Sequence, residues 1–394
     1  MRPQQKNNFW FVLGREELIS AAELRAVLNS RDLKPKNGLL KSESDIEPAM
    51  FIKKVGGVIK IGKEIASGIS EKNIIEIISN ELKNVDGKIN FGISVYGLRE
   101  KFARMKSAKE IGIKIKKMMK ELGYSIRYVE NKDATLSSVT VEKNGLVKRG
   151  REFMLEEDGD KISIAVTMAV QPFEEFSARD FGRPGRDNLS GMLPPKLAMM
   201  MINLSQTKTN EKILDPFCGS GTILSEAMLM GYKNLIGSDS AEKAVEDTIN
   251  NIKWIAEKFN QDNPDIDVFK CQVELLDEKI SADSIDAIVT EPFLGKPLKG
   301  REVKEELIKQ ANELKSFYLE TLKIFKKILK PGGRVVIVIP RFKFNNEWVT
   351  ISIRDEAMKL GLKPDILIED KQFLLYSRPD QRVGREIWKF IKPL

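Results

Sequence analysis

Lys212-Ile213-Leu214-Asp215-Pro216-Phe217-Cys218-Gly219-Ser220-Gly221-Thr222 opens the stretch whose reading decides the fold, and Asn234-Leu235-Ile236-Gly237-Ser238-Asp239 closes it. Ile213 and Leu214 make a short apolar strand ending at Asp215. A glycine turn follows at Gly219, Ser220 and Gly221. Thr222 to Met230 carries little polarity and predicts a buried helix. Leu235 and Ile236 begin a second strand, which ends at Asp239. Strand, glycine turn, helix, strand and terminal acid form the opening of a nucleotide-binding βαβ unit. The glycines let the backbone approach a ligand where a Cβ would clash. The acid at the end of the second strand suits two hydrogen bonds to ribose hydroxyls.

Residues 215–222, Asp-Pro-Phe-Cys-Gly-Ser-Gly-Thr, resemble motif I of class I S-adenosylmethionine methyltransferases, in the version found in amino-group methylases of nucleic acids. No third glycine follows at dinucleotide spacing. The resemblance implies an α/β protein whose C-terminal part is a Rossmann-like class I methyltransferase domain. It implies S-adenosylmethionine as cofactor, held by Asp215, Phe217, Cys218, Gly219, Ser220, Gly221, Thr222, Asp239 and Ser240. Gln272 and Val273, at the end of the third strand, stand where this fold contacts the adenine ring; many relatives place an acid there. Asp239 is expected to carry the ribose, and Asp215 to order the glycine turn and touch the methionine end.

The chain has 394 residues, enough for two or three domains, and is 42% apolar and 31% charged, a globular balance. No apolar run reaches membrane-spanning length, and residues 1–8 lack the apolar segment of a signal peptide. Two cysteines, Cys218 and Cys271, make no disulfide framework. These features predict a cytoplasmic protein with no membrane partner. The absence of histidine excludes Ser-His-Asp catalysis and argues against a zinc site, so no metal is expected. The net charge of +8 is uneven: residues 1–170 hold 31 basic and 23 acidic residues, and residues 171–394 hold 34 of each. The basic excess suits a polyanion partner or, equally, a solvated lysine-rich surface.

Strand candidates at residues 8–13, 49–51 and 58–61, with helices at 16–28 and 73–82, suggest an α+β domain of ferredoxin-like type over residues 1–85. Residues 91–96 read as a strand. From Leu98 to Lys120 come nine basic residues against Glu100 and Glu110. Residues 107–122 predict a helix with Ile111, Ile115, Met118 and Leu122 on its core side. Residues 125–129 and 162–170 read as strands, 138–141 and 152–155 more weakly so. Phe-Gly-Ile-Ser-Val-Tyr-Gly (91–97), Lys-Glu-Leu-Gly-Tyr (120–124) and Ala-Thr-Leu-Ser-Ser-Val-Thr-Val (134–141) resemble a THUMP domain, placed at 86–170. That family binds the acceptor end of tRNA. The resemblance makes Arg99, Lys101, Arg104, Lys106, Lys109, Lys116 and Lys120 the candidate RNA contacts.

Residues 171–196 read as a linker rich in turn residues, before a methyltransferase domain at 197–394. Arg-Pro at 183–184 and Leu-Pro-Pro-Lys-Leu-Ala at 193–198 resemble the segment that precedes motif I in guanosine methylases of the THUMP class. Pro194-Pro195 suit the first turn of a helix over 196–204. Beyond motif I, the pattern predicts a helix over 241–259, strands at 267–271 and 285–290, a helix over 307–329, a turn at Pro331-Gly332-Gly333, a strand at 334–339 and a hairpin-like pair at 366–368 and 373–376. Gln-Arg-Val-Gly-Arg-Glu-Ile (381–387) resembles the tail of the tRNA guanosine methylases.

Methyl transfer to an exocyclic amine requires a lone pair aimed at the methyl, acceptors for the amine protons, and a clamp for the flipped base. Amino-methylases meet these needs with Asp/Asn-Pro-Pro-Tyr/Phe after the fourth strand. This chain has Thr290-Glu291-Pro292-Phe293 there. Counted from the strand, Glu291 replaces the acid; counted from the aromatic, Thr290 does. The first register aligns without a gap and makes Glu291, Pro292 and Phe293 the candidate catalytic residues. The resemblance as a whole is to the THUMP-containing tRNA guanosine-N2 methylases that act near the D arm. It implies tRNA as partner, and the protein is expected to be a monomer. Amino-methylation of ribosomal RNA or DNA, or RNA binding without catalysis, stays open at this stage.

Overall fold

The computed structural model describes residues 7–97, 101–130, 132–185, 192–261, 266–369, 371–379 and 381–394, with the side chains of residues 101 and 102 outside the description. The chain divides into two compact units, one drawn from residues 1–21 and 30–173, the other from 22–29 and 174–394.

The first unit contains β1 (Asn7–Leu13), α1 (Glu17–Leu28, whose second half groups with the other unit), β2 (Leu39–Ser44), α2 (Pro48–Phe51), β3 (Val58–Ile69), α3 (Ile74–Lys83), β4 (Ile89–Gly97), α4 (Lys101–Glu121), β5 (Ile126–Tyr128), α5 (Ser138–Lys143), β6 (Arg151–Asp158) and β7 (Lys161–Val170). One seven-stranded sheet of order β2-β1-β3-β7-β6-β4-β5 runs through it. β1 sits between β2 and β3, and Phe9 to Leu13 are buried without alternation, as a strand covered on both faces requires. α3 and α4 pack Ile74, Ile78 and Leu82, with Ala108, Ile111, Ile115 and Met119, onto Ile93, Phe153 and Ile164 of the sheet.

Two short elements depart from the reading of the sequence. Residues 49–51 are helical because Glu47 accepts hydrogen bonds from the backbone of Ala49 and Met50, at 3.3 and 2.7 Å, with Pro48 in the first turn. Residues 138–141 are helical because the Ser137 hydroxyl caps the Thr140 N–H at 3.1 Å; the cap outweighs the strand preference of Val139, Thr140 and Val141. α4 also starts earlier than expected. Its core face carries Met119 rather than Met118, and Leu122 is 55% exposed.

The second unit contains α6 (Phe173–Phe181), α7 (Pro195–Leu204), β8 (Lys212–Asp215), α8 (Thr222–Leu229), β9 (Asn234–Asp239), α9 (Glu242–Lys258), β10 (Ile266–Lys270), α10 (Leu276–Lys279), β11 (Ile285–Thr290), α11 (Lys304–Ile328), β12 (Leu329–Phe344), β13 (Glu347–Val349), α12 (Arg354–Lys359), β14 (Lys363–Pro364), β15 (Leu374–Tyr376) and β16 (Val383–Ile391). Its nine-stranded sheet has the order β10-β9-β8-β11-β12-β16-β14, with β13 also paired to β12 and β15 to β16. β10 to β12 pair in parallel and β16 runs antiparallel to β12. Ile288, Val335, Ile337 and Ile339 of the sheet pack with Leu314, Tyr318 and Phe325 of α11 in one apolar core. This is the Rossmann-like class I methyltransferase architecture.

The segment read as a linker holds α6, while residues 186–191 lie outside the described residues. Pro331-Gly332-Gly333 falls inside β12, where the register to β11 jumps and Gly332 adopts φ +77°. Residues 366–368 form no strand; Ile368 makes only an isolated bridge to Lys371, and β14 is the strand that joins the sheet edge. The tail at 383–391 is a nine-residue strand whose length the sequence did not reveal.

Candidate active site

The strand order reverses between β8 and β11: β9 and β10 follow on one side, β12 on the other. A crevice opens outside the carboxyl ends at such a point. Asp215, Asp239 and Glu291 stand at the ends of β8, β9 and β11.

Gly219 and Gly221 hold φ +52° and +77°, the left-handed region glycine occupies at least cost. A Cβ on Gly219 would meet nothing within 4 Å, whereas one on Gly221 would lie 2.9 Å from the Thr248 side chain. Gly221→Ala is therefore expected to unfold more easily than the parent by about 1–2 kcal/mol of left-handed strain plus the clash. Gly219→Ala should cost the strain alone, with no clash. Urea unfolding of both variants checks this, and equal midpoints would remove the Thr248 contact from the argument.

The turn is tied down from three sides. The Gly219 N–H donates to Asp239 Oδ2 at 3.1 Å and the Ala241 N–H to Oδ1 at 3.0 Å. Thr248 Oγ1 donates to the Gly219 carbonyl at 2.8 Å. Asn251 Nδ2 donates to the carbonyls of Ser220 and Gly185, both at 2.8 Å, while its Oδ1 accepts the Gly185 N–H at 2.8 Å. Asp239 thus shares the ordering that the sequence suggested for Asp215, whose Oδ1 accepts the Phe217 N–H at 3.2 Å, because the end of β9 lies beside the turn leaving β8. Each Asp239 oxygen keeps a further acceptor site.

Asp215 is 2% exposed and bridges two strands: Thr290 Oγ1 donates to its Oδ1 at 2.7 Å and the Phe217 N–H at 3.2 Å. Burial pushes its carboxyl up to about 7; the two hydrogen bonds oppose the rise, and the charges of Asp239 and Glu291 add to it. The unfolded carboxyl titrates near 3.9, so between roughly pH 4 and 7 the folded chain binds the extra proton and this group's contribution to stability falls as pH rises. The melting temperature of Asp215→Asn minus that of the parent should accordingly grow from about pH 5 to 8. A difference that stays flat would show Asp215 ionising freely in the fold.

The Thr290 hydroxyl, fully buried and turned to Asp215, leaves Glu291 as the first acid of the loop. Arg385 Nε donates to Glu291 Oε1 at 2.5 Å, and its Nη2 lies 3.5 Å from Oε2. Pro292 is buried and Phe293 is 59% exposed. The buried Tyr318 hydroxyl donates to the Phe293 carbonyl at 2.6 Å, and Gly295 turns the chain at φ +93°. Phe217 packs edge-on against Phe317, Cys218 and Val273 are buried, Ser220 is half-buried, and Ser240 and Gln272 are exposed. Arg183 Nη1 donates to Thr222 Oγ1 at 2.7 Å, and Arg179 Nε to Glu226 Oε1 at 2.8 Å.

Arg385, Tyr318 and Asn251 were missed from sequence. A signal existed for Asn251, a polar residue amid the apolar stripe of α9 formed by Val245, Ile252 and Ile255. Arg385 lay inside a quoted tail motif, but its partner is 94 residues away.

In the first unit, Lys106, Lys109 and Lys120 are exposed on α4, with Lys114 and Lys117, and Lys116 is half-buried. Lys109 pairs with Glu130 at 2.6 Å and Lys106 lies 3.9 Å from Glu110. Arg104 Nη1 donates to the Val95 carbonyl at 3.4 Å. Arg99 lies outside the described residues, as does the side chain of Lys101.

The fold defines the class: a class I methyltransferase domain that follows an α+β unit in the chain. Residues 183–348 match a family described as RMKL-like, methyltransferase domain, and residues 101–251 one described as DNA methylase. A tRNA (guanine(10)-N2)-dimethyltransferase of Methanothermobacter thermautotrophicus is 34% identical over 46% of this chain and 48% of its own. A probable tRNA (guanine(10)-N2)-dimethyltransferase of Methanothermococcus thermolithotrophicus is 33% identical over 30% of this chain and 72% of its own. The crystal structure of TrmN from Thermus thermophilus matches in fold with a TM-score of 0.53 at 15% identity, covering 98% of this chain and 99% of that one. The chain belongs to the tRNA guanine-N2 methyltransferase family. It spans about half the length of the Methanothermobacter relative. Among the described residues no helix is long and apolar enough to cross a membrane.

Proposed function

We propose that this protein transfers a methyl group from S-adenosylmethionine to the exocyclic N2 amine of a guanosine in the D-arm region of tRNA. The observation that carries the reading is the loop Glu291-Pro292-Phe293 at the end of β11, beside the glycine turn of β8. Membership of the family supports it, and the relatives' names point to guanine 10 and to two successive methylations.

S-adenosylmethionine supplies, when bound, an electrophilic methyl on a sulfonium. The residues present fit it: a side chain at Gly219 would project into open space beside the turn, and Asp239 ends the neighbouring strand. Asp239 accepts from the ribose hydroxyls, and Phe217, Cys218, Ser220, Gly221, Thr222, Ser240, Gln272 and Val273 line the remainder. The exposed Phe293 ring stacks on the flipped guanine. Glu291 and the Pro292 carbonyl accept the two amine N–H groups and so aim the nitrogen lone pair. The nitrogen–carbon bond would form as the methyl's carbon–sulfur bond breaks, sulfur keeping the pair; the amine is left with one proton in excess, and Glu291 accepts it.

The test is incubation with labelled cofactor and unmodified tRNA, followed by digestion to nucleosides. Label in N2-methylated guanosine is expected; label elsewhere, or none, removes the guanine assignment.

For tRNA capture the reading assigns the lysine face of α4, with Lys106, Lys109, Lys116 and Lys120 as phosphate contacts from residues 86–170. Arg99, Lys101 and Arg104 belong to the same proposal, Arg104 with one guanidinium nitrogen 3.4 Å from the Val95 carbonyl. Replacing Lys109, Lys116 and Lys120 together by Ala should flatten the salt dependence of tRNA binding by about three units or fewer, the lower figure following from the Lys109–Glu130 pair. Cofactor affinity should not change. Filter binding across a salt series reads this, and an unchanged slope would make the face a solvated surface.

A further inference from the structure

We infer that Arg385 is a positioning residue for methyl transfer, fixing the Glu291 carboxylate in the orientation from which it accepts the amine. This rests on the reading of Glu291 given above. Glutamate stands here where amino-methylases carry the shorter aspartate or asparagine, so its carboxylate has one more rotatable bond between it and the backbone. Left alone, that arm samples several rotamers. The Arg385 guanidinium removes the freedom by gripping both oxygens: Nε to Oε1 at 2.5 Å and Nη2 near Oε2 at 3.5 Å. The two side chains are 10% and 12% exposed, so water competes weakly for the pair.

Arg385 is itself held by three strands. It lies opposite Pro340 of β12 and opposite Tyr376 of β15 in the β16 ladders. The preceding Gly384 faces Arg341, whose Cγ would sit 2.9 Å from any Cβ placed there. The antiparallel end of the sheet therefore delivers a rigid cation across the end of β12 to the loop after β11. It also sets a positive charge against a crevice where three carboxylates, Asp215, Asp239 and Glu291, close the strand ends. Each Glu291 oxygen retains a lone pair for an N–H donor after pairing with Arg385.

The experiment compares the parent with Arg385→Gln and Arg385→Lys in single-turnover methylation of tRNA, alongside calorimetric cofactor binding and tRNA filter binding. Arg385→Gln should lower the transfer rate on the order of 10²-fold, the scale of a misplaced reacting group, with both affinities held. Arg385→Lys keeps the charge but loses the planar fork, and should recover part of the rate; it also guards against a fold weakened by a lone carboxylate. Combining Arg385→Gln with Glu291→Gln should slow transfer no further than Glu291→Gln alone, within about twofold. A parent-like rate in Arg385→Gln overturns the inference and leaves the methyltransferase reading standing. So does a fall in which cofactor affinity drops in step with rate in both single variants, or a multiplicative loss in the double variant. A parent that methylates no nucleic acid overturns both.

Discussion

Glu291→Ala is expected to lower single-turnover methylation by about 10²–10⁴-fold, the range for loss of a positioned proton acceptor, while tRNA binding stays near the parent's. The loop geometry supports the size of the effect. Pro292 is buried, the Phe293 carbonyl is held by Tyr318, and Thr290 is spent on Asp215. No neighbouring carboxylate on β11 can take over, since Asp286 lies at the strand's other end, bonded to Lys330 and the Lys212 N–H. Glu291→Ala also strands Arg385, so Glu291→Gln belongs beside it: it keeps the volume and one acceptor oxygen, and should retain more activity and more stability. Transfer by Glu291→Ala at the parent rate would move the acceptor elsewhere, with the Pro292 carbonyl the next candidate.

Asp239→Ala should weaken S-adenosylmethionine binding by about 1.5–3 kcal/mol, the loss of hydrogen bonds to a charged acceptor, or roughly 10–150-fold in Kd. Two effects combine. The ribose contacts go, and the N–H groups of Gly219 and Ala241 lose the carboxylate that orders them. Asp239→Asn separates these, since an amide oxygen can still accept from one N–H. Asp215→Asn should weaken binding less, because Asp215 points its bonded oxygen at Thr290 and Phe217 within the protein. Titration calorimetry on the three variants gives the ranking. Parent-like affinity in Asp239→Ala would show that the end of β9 is not the ribose site.

Local signals carried the class of protein. The run from Lys212 to Asp239 holds strand, turn, helix and strand within 28 residues of the sequence, and each piece is set by interactions between near neighbours: apolar strands, left-handed glycines, an apolar helix. Glu291-Pro292-Phe293 was legible for the same reason, as the residues that follow an apolar strand. Short capped helices were not, since one capping side chain, Glu47 or Ser137, overrode the preference of a whole segment.

The sequence by itself thus determined the βαβ unit, the acids at its strand ends and the family they resemble. Tertiary structure decided how those acids are used. Which carboxylate orders the glycine turn, which hydroxyl is consumed by Asp215 and which cation faces Glu291 all depend on strands that are neighbours in the sheet but far apart in the chain. β8 lies between β9 and β11, and β16 returns antiparallel beside β12 to bring Arg385 to a partner 94 residues away. Hydrogen bonds act over about 3 Å, so such partnerships exist only once the sheet has been assembled, and no periodicity along the chain announces them.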